Sequence, residues 1–267
     1  MIKFDNILFI GCGNMAGAML DGWLAGGMPG SAFTIFDPAP RDYPDGVTAL
    51  DAMPTSGDYD AILIGVKPHM LGDIAESLGP LAGQGTVILS ILAGVELETL
   101  RKRFPQAQGV VRVMPNLAVA LGKSPVGLAQ DGLDEEGQDS LVRFFDPLGL
   151  PEWVSEDDFD LFTALAGSGP AFVYRMIDAL AKGAEELGFP HDKAVRTATA
   201  MVEGAAALAS HSPDNPGALA DRVASPGGTT RAGLDVLDDD QAVFKLMQAT
   251  LKAAQDRSAE MSREARG

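Results

Sequence analysis

The chain has 267 residues, a formal net charge of −17 and one cysteine, Cys12. That charge argues against binding a phosphate backbone, which needs clustered lysine and arginine, and against docking on an anionic membrane surface. One cysteine leaves no intrachain disulfide and no thiolate metal cluster, while 46% hydrophobic and 21% charged residues are ordinary globular usage with enough core for one large domain or two.

The first six residues run straight into a strand, with no long apolar stretch or small-residue cleavage site. No apolar run reaches membrane-spanning length, so a cytoplasmic protein is expected. Ile7-Leu8-Phe9-Ile10 reads as a buried strand. A helix follows, with Met15, Ala18, Met19, Gly22 and Trp23 on one face and Gly26-Gly27 at its end. Further strands are predicted at 33–36, 61–66, 86–90 and 110–113. Their continuous apolar character predicts a parallel sheet covered on both faces, and the helices between them make it a doubly wound α/β domain. After about Ser155 the β-branched runs vanish. Alanine-rich helical patterns cover 157–187, with a break at Gly167-Ser168-Gly169-Pro170, then 191–210 and 239–266. The chain therefore divides into 1–155, a Rossmann-type dinucleotide-binding domain, and 156–267, an all-α domain. Alanine-rich helices bury little area each, which predicts that they complete their core against a second subunit.

Gly11-x-Gly13-x-x-Ala16 stands directly after a strand and before a helix. The first glycine permits the tight turn, the second lets a pyrophosphate approach, and the third position must be small for helix and strand to pack. The helix start, with Asn14 and Met15, offers backbone N–H groups to the phosphates. Cys12 reads as a small filler. Asp37 closes the second strand, where an acid accepts from adenosine ribose hydroxyls and favours NAD over NADP, or it is a turn residue before Pro38. Arg41 follows closely and is suited to a phosphate, so the preference stays open. His69, His191 and His211 show no ligand spacing, and no metal is expected.

In the second half, Ser225-Pro226-Gly227-Gly228-Thr229-Thr230 precedes a helical pattern. Its backbone N–H groups and hydroxyls suit a carboxylate without lysine or arginine. A plain helix cap is the equal alternative on composition. This segment, with Ile10-Gly11-Cys12-Gly13-Asn14-Met15, Val66-Lys67-Pro68, Met114-Pro115-Asn116 and Gly167-Ser168-Gly169-Pro170-Ala171, resembles the pyrroline-5-carboxylate reductase family over essentially the whole chain.

The resemblance implies a Rossmann-type N-terminal domain, a helical dimerisation domain, and a homodimer or higher homo-oligomer. It implies reduction of 1-pyrroline-5-carboxylate to L-proline by NADPH or NADH. The cofactor set it implies is Gly11, Gly13, Asn14, Met15, Ala16, Asp37, Val66, Lys67, Pro68 and Asn116. The substrate carboxylate falls to Ser225, Gly227, Gly228, Thr229 and Thr230, often at a dimer-built site. Lys67, Asn116, Ser168 and Thr230 are the candidate catalytic residues. The chain departs from the family at Leu117-Ala118, Asn215-Pro216, Leu219-Ala220-Asp221 and Arg175, the last of which adds a charge near substrate or points outward. Two other readings remain: a reductase of another cyclic imine or related carboxylate, and a non-catalytic nucleotide-binding regulator.

Overall fold

The structure, a computed structural model, describes residues 2–39 and 42–266; Arg41 lies outside the described residues. In chain order the elements are β1 (Ile7–Ile10), α1 (Asn14–Ala25), β2 (Phe33–Phe36), β3 (Thr48–Leu50), β4 (Ala61–Ile64), α2 (Leu71–Leu78), β5 (Val87–Ser90), α3 (Leu97–Arg103), β6 (Gly109–Met114), β7 (Ser124–Asp131), α4 (Glu135–Phe145) and β8 (Gly149–Trp153). Among the described residues these strands form one sheet in the order β3-β2-β1-β4-β5-β6-β7-β8. Every pairing is parallel except β6 with β7. The order reverses between β1 and β4, the point at which such sheets open a ligand crevice.

The continuous apolar strands are covered on both faces. Ile7 and Phe9 of β1 join one core cluster and Leu8 and Ile10 join the other, as period-two alternation requires. The first cluster centres on Trp23, whose indole stacks 4.6 Å from Phe144 and donates from Nε1 to the Phe144 carbonyl at 2.7 Å. The second holds Ile74, Leu78, Leu100 and Phe104 under α2 and α3.

Three strands were not expected. β3 is three residues long and largely exposed, too short to show a period. β7 carries Pro125 and Gly127, and β8 carries Gly149 and Pro151, residues that normally argue against a strand. Pro125 is accommodated because it lies beyond the end of the β6 ladder, which stops at the pair Met114–Gly127. Pro151 is accommodated because β8 is an edge. The antiparallel β7 also makes the sheet mixed, where a wholly parallel one was expected.

The rest is helical: α5 (Phe159–Phe162), a π-helical turn (Thr163–Gly167), α6 (Gly169–Glu186), α7 (His191–His211), α8 (Pro216–Arg222), α9 (Thr229–Asp238) and α10 (Ala242–Arg266). The last helix starts later than 239 because Asp240 and Gln241 take positive φ, 45° and 58°, which interrupts the helical path. No helix of the described residues is long and apolar enough to cross a membrane.

By compactness the chain forms two units, Met1–Ser168 with Ala253–Gly267, and Gly169–Lys252. The composition boundary at 155 falls earlier because α5 and the π-turn pack on the sheet. Phe159 is buried, and a Cβ on Gly127 of β7 would meet the Phe162 ring at 2.5 Å. The end of α10 is held there too, by a bond from Ser258 Oγ to Asp160 Oδ1 at 2.7 Å. In the second unit the buried cluster is Ala181, Ala194 and Ala198, with Ile177 and Ala184 against it.

Candidate functional site

Gly11 takes φ +84°, and a Cβ there would press on Val66 Cγ1 at 3.0 Å and on the Gly65 backbone. Only glycine fits both demands. Gly13 is different. It is the N-cap of α1 with extended backbone and no side-chain cap, and a Cβ would meet nothing within 4 Å. The protein's own packing leaves that position open, as close approach of a pyrophosphate requires. The helical ladder begins with Gly17 N–H donating to the Gly13 carbonyl at 2.8 Å, so the N–H groups of Asn14, Met15 and Ala16 lie outside it. Ala16 is buried, and its Cβ would lie 3.2 Å from one on Gly65. The small third position thus serves the crossing of α1 over β4. The turn fits a dinucleotide.

Asp37 is fixed at the end of β2. Its Oδ2 accepts from Cys12 N–H at 2.6 Å and its Oδ1 from Ala39 N–H at 2.8 Å. Cys12 is buried, in keeping with a filler. Val66, Lys67 and Pro68 follow β4 on the same edge of the sheet. Gly65 N–H donates to the Ile10 carbonyl at 2.9 Å, tying that segment to the turn. Lys67 is exposed and precedes a one-turn 3₁₀ helix opened by Pro68. Gly11, Gly13, Asn14, Met15, Ala16, Asp37, Val66, Lys67 and Pro68 therefore converge at the ends of β1, β2 and β4.

Asn116 is placed otherwise than expected for a ligand-contacting group. It is buried, and its side chain is committed to the chain itself. Oδ1 accepts from Ala118 N–H at 2.9 Å, capping the 3₁₀ turn Leu117–Leu121, and Nδ2 donates to the Ala166 carbonyl at 2.9 Å. The second bond satisfies a carbonyl in the π-turn, where the ordinary helical ladder is displaced: Ser168 N–H donates back to Thr163 at 3.0 Å. Ser168 ends that turn and lines a cavity of about 190 Å³ with Ala93, Gly94, Arg112, Met114 and Thr163, closed by Arg257, Ser258 and Met261 of α10.

Arg112 was missed. It is buried in β6, bonded through Nη1 to Glu156 Oε1 at 2.8 Å, with its guanidinium 3.9 Å over the Phe159 ring. Glu156 Oε1 also accepts from Leu97 N–H at 3.1 Å. The signal was present: a single charge inside the buried run Val110-Val111-Arg112-Val113, which needs a buried partner. Gly65, whose Cβ would meet the Gly11 carbonyl at 2.9 Å, was missed as well.

The 225–230 segment belongs to the second unit. Gly228 N–H donates to the Ser225 carbonyl at 2.9 Å and Gly227 takes φ +72°. With Pro226 second and Gly227 third, this is a type II turn. The N–H of Gly228 is therefore spent closing the turn, which corrects its expected role as an outward donor. Gly228 caps α9 without a side-chain bond. Ser225, Thr229 and Thr230 are exposed, and the ladder resumes only with Ala232 N–H to Gly228 at 3.1 Å. That leaves the N–H groups of Thr229, Thr230 and Arg231 outside it. Arg175 points outward from α6, 82% exposed, 3.5 Å from Asp178.

Residues 156–261 match the family model described as pyrroline-5-carboxylate reductase dimerisation, and residues 6–94 match one described as NADP oxidoreductase coenzyme F420-dependent. A pyrroline-5-carboxylate reductase of Glycine max is 35% identical over 95% of each chain. One of Pasteurella multocida is 32% identical over 98% of this chain and 99% of that one. Among solved structures, a pyrroline-5-carboxylate reductase of Coxiella burnetii superposes with a TM-score of 0.89 at 29% identity, covering 97% of this chain and 99% of that one.

Proposed function

The chain belongs to the pyrroline-5-carboxylate reductase family, and from that premise we propose that it reduces 1-pyrroline-5-carboxylate to L-proline with NADPH or NADH, as a cytoplasmic homo-oligomer. The observation that carries this reading is a likeness running nearly the full length of both chains. In function the chain divides near 155: the first part holds the dinucleotide, and 156–267 holds the substrate carboxylate and the second copy.

The bound dinucleotide supplies the hydride. The chain's own task is placement, since an imine carbon beside a protonated nitrogen accepts hydride without a protein nucleophile. Asn14 and Met15 present backbone N–H groups to the pyrophosphate across the open face of Gly13. Lys67 offers charge beside the cofactor. Ser225, Gly227, Thr229 and Thr230 hold the carboxylate by hydroxyls and by the uncapped start of α9. Asn116 is a positioning residue that fixes the π-turn and so sets where Ser168 points.

The test is a steady-state assay of the purified full-length protein with both dinucleotides, pyrroline-5-carboxylate and related cyclic imines. Oxidation of the dinucleotide with pyrroline-5-carboxylate as the best substrate is expected. Higher kcat/KM with another imine would reassign the substrate, and binding of dinucleotide without any turnover would make the chain a regulator.

A further inference from the structure

Arg112 is the one charged residue of β6. It lies mid-sheet, opposite Ser90 of β5 and Ala129 of β7, and is 5% exposed. For stability alone an apolar side chain of similar length would serve there, since a buried ion pair is often no better than its apolar replacement. What the pair adds is direction. Glu156 Oε1 accepts from Arg112 Nη1 at 2.8 Å and from Leu97 N–H at 3.1 Å. Leu97 opens α3, whose N-cap Glu96 supplies no side-chain cap, so Glu156 takes that place from 59 residues away. The guanidinium meanwhile lies 3.9 Å over the Phe159 ring.

Two segments are thereby tied to one strand. The first is the loop between β5 and α3. It leaves the sheet beside the end of β4, where Ile91 N–H donates to the Ile64 carbonyl at 3.2 Å, and it carries Ala93 and Gly94. The second runs from Phe159 to Ser168. The Phe159 carbonyl accepts from Thr163 Oγ1 at 2.8 Å, and the Thr163 carbonyl accepts from Ser168 N–H at 3.0 Å. Ala93 and Gly94 of the first segment and Thr163 and Ser168 of the second line the cavity of about 190 Å³, and Arg112 lines it with them. We infer that the Arg112–Glu156 pair positions the reaction, by setting the gap between the 93–94 loop and the turn that carries Ser168. Hydride transfer is sensitive to such a gap, since a misplacement of about 1 Å costs on the order of a hundredfold in rate. The inference rests on the reductase reading above, with Ser168 facing the reacting groups; Arg112 and Glu156 act through these segments as positioning residues.

The experiment uses the full-length protein with Arg112→Met and Glu156→Met together, which replaces the pair by apolar side chains of like length and releases Leu97 N–H. Thermal unfolding, dinucleotide affinity by fluorescence titration, KM for pyrroline-5-carboxylate, kcat, and the rate of dinucleotide oxidation in a single turnover are compared with the wild type. Folding should be retained. Affinity and KM should stay within about threefold, while the single-turnover rate, and kcat with it, falls by about tenfold or more. Arg112→Met with Glu156→Gln keeps an acceptor for Leu97 N–H and should regain about threefold of that loss. Should the double variant not fold, Arg112→Lys carries the test. It keeps the charge opposite Glu156 but loses the planar group over Phe159, and it should show the same split at about threefold. A folded variant with the wild-type single-turnover rate would overturn the inference. So would a parallel loss of Tm, affinity, KM and kcat, the mark of a merely loosened fold. A wild type that oxidises neither dinucleotide with any imine would instead overturn the reductase reading, and the inference with it.

Discussion

In the first unit the strands bury side chains on both faces, and Trp23 sits fully enclosed among Phe9, Phe33, Phe144 and Phe145. In the second, the buried cluster is three alanines, while Tyr174, Leu180, Leu208, Phe244 and Leu246 are half exposed or more. Burying a Leu or Phe side chain is worth about 1.5–3 kcal/mol, so the second unit by itself leaves most of its apolar stabilisation unused. A second copy of the chain recovers it, which agrees with the dimerisation model matched over 156–261. One chain thus holds a region whose stability is its own and a region whose stability depends on concentration.

The largest effect expected is from Trp23→Ala in the first unit. It should cost about 3–5 kcal/mol, read by thermal or denaturant unfolding, and the loss should not vary with protein concentration. Next is Leu180→Glu combined with Phe244→Glu in the second. These residues are 50% and 61% exposed in the single chain, so substitution should leave the monomer intact. It should raise the dissociation constant between copies by about a hundredfold or more, ~2.7 kcal/mol, by sedimentation. A wild-type mass and unchanged association would break the contrast.

Asn116→Ala removes a cap and the tether to Ala166. About 1–2 kcal/mol of stability should go with it. If Asn116 acts by placing Ser168, kcat should fall while dinucleotide affinity holds, and Asn116→Asp, which keeps the cap acceptor but sets a carboxylate oxygen against the Ala166 carbonyl, should not restore the stability. Thr230→Ala, in the second unit, should leave folding alone and raise KM for the imine by about 1 kcal/mol or somewhat more if charge-assisted. Unchanged kinetics would remove Thr230 from the site.

The smallest effect is a pH dependence at the corner between α6 and α7. Glu185 bonds His191 Nδ1 at 2.8 Å, and that bond, with the charge of Glu185, raises the imidazole above its ordinary value of 6.5. A raised folded value means a stabilisation fully present below the unfolded pKa and lost as pH rises through the folded one. His191→Gln should flatten the wild-type decline in Tm across that window, and an unchanged slope would discard the pair.

Much of this was legible beforehand. Strands with continuous apolar runs, such as Ile7–Ile10 and Ala61–Ile64, announced themselves, and so did Gly11, whose positive φ the tight turn requires. What was not legible was set by partners distant in sequence. β7 and β8 carry prolines and glycines tolerated only through their place in the sheet. Asn116 in a loop reads equally as ligand or brace until Ala166, fifty residues on, is seen to accept from it. The N–H of Gly228 reads as a donor until Ser225 is seen to hold it. The end of α10, helical like the rest of the second half, belongs to the first unit, tied to α5 through Ser258 and to the loop after β5 through Met261, whose backbone lies where a Cβ on Gly94 would meet it at 2.8 Å.

The contrast between the units is tested most directly by hydrogen exchange, comparing the wild type with the Leu180→Glu, Phe244→Glu double variant. Loss of the second copy should speed exchange across 169–252 while 7–10, 61–64 and 87–90 stay protected. A monomeric variant that keeps full protection over 169–252 would show that the helical unit is complete alone.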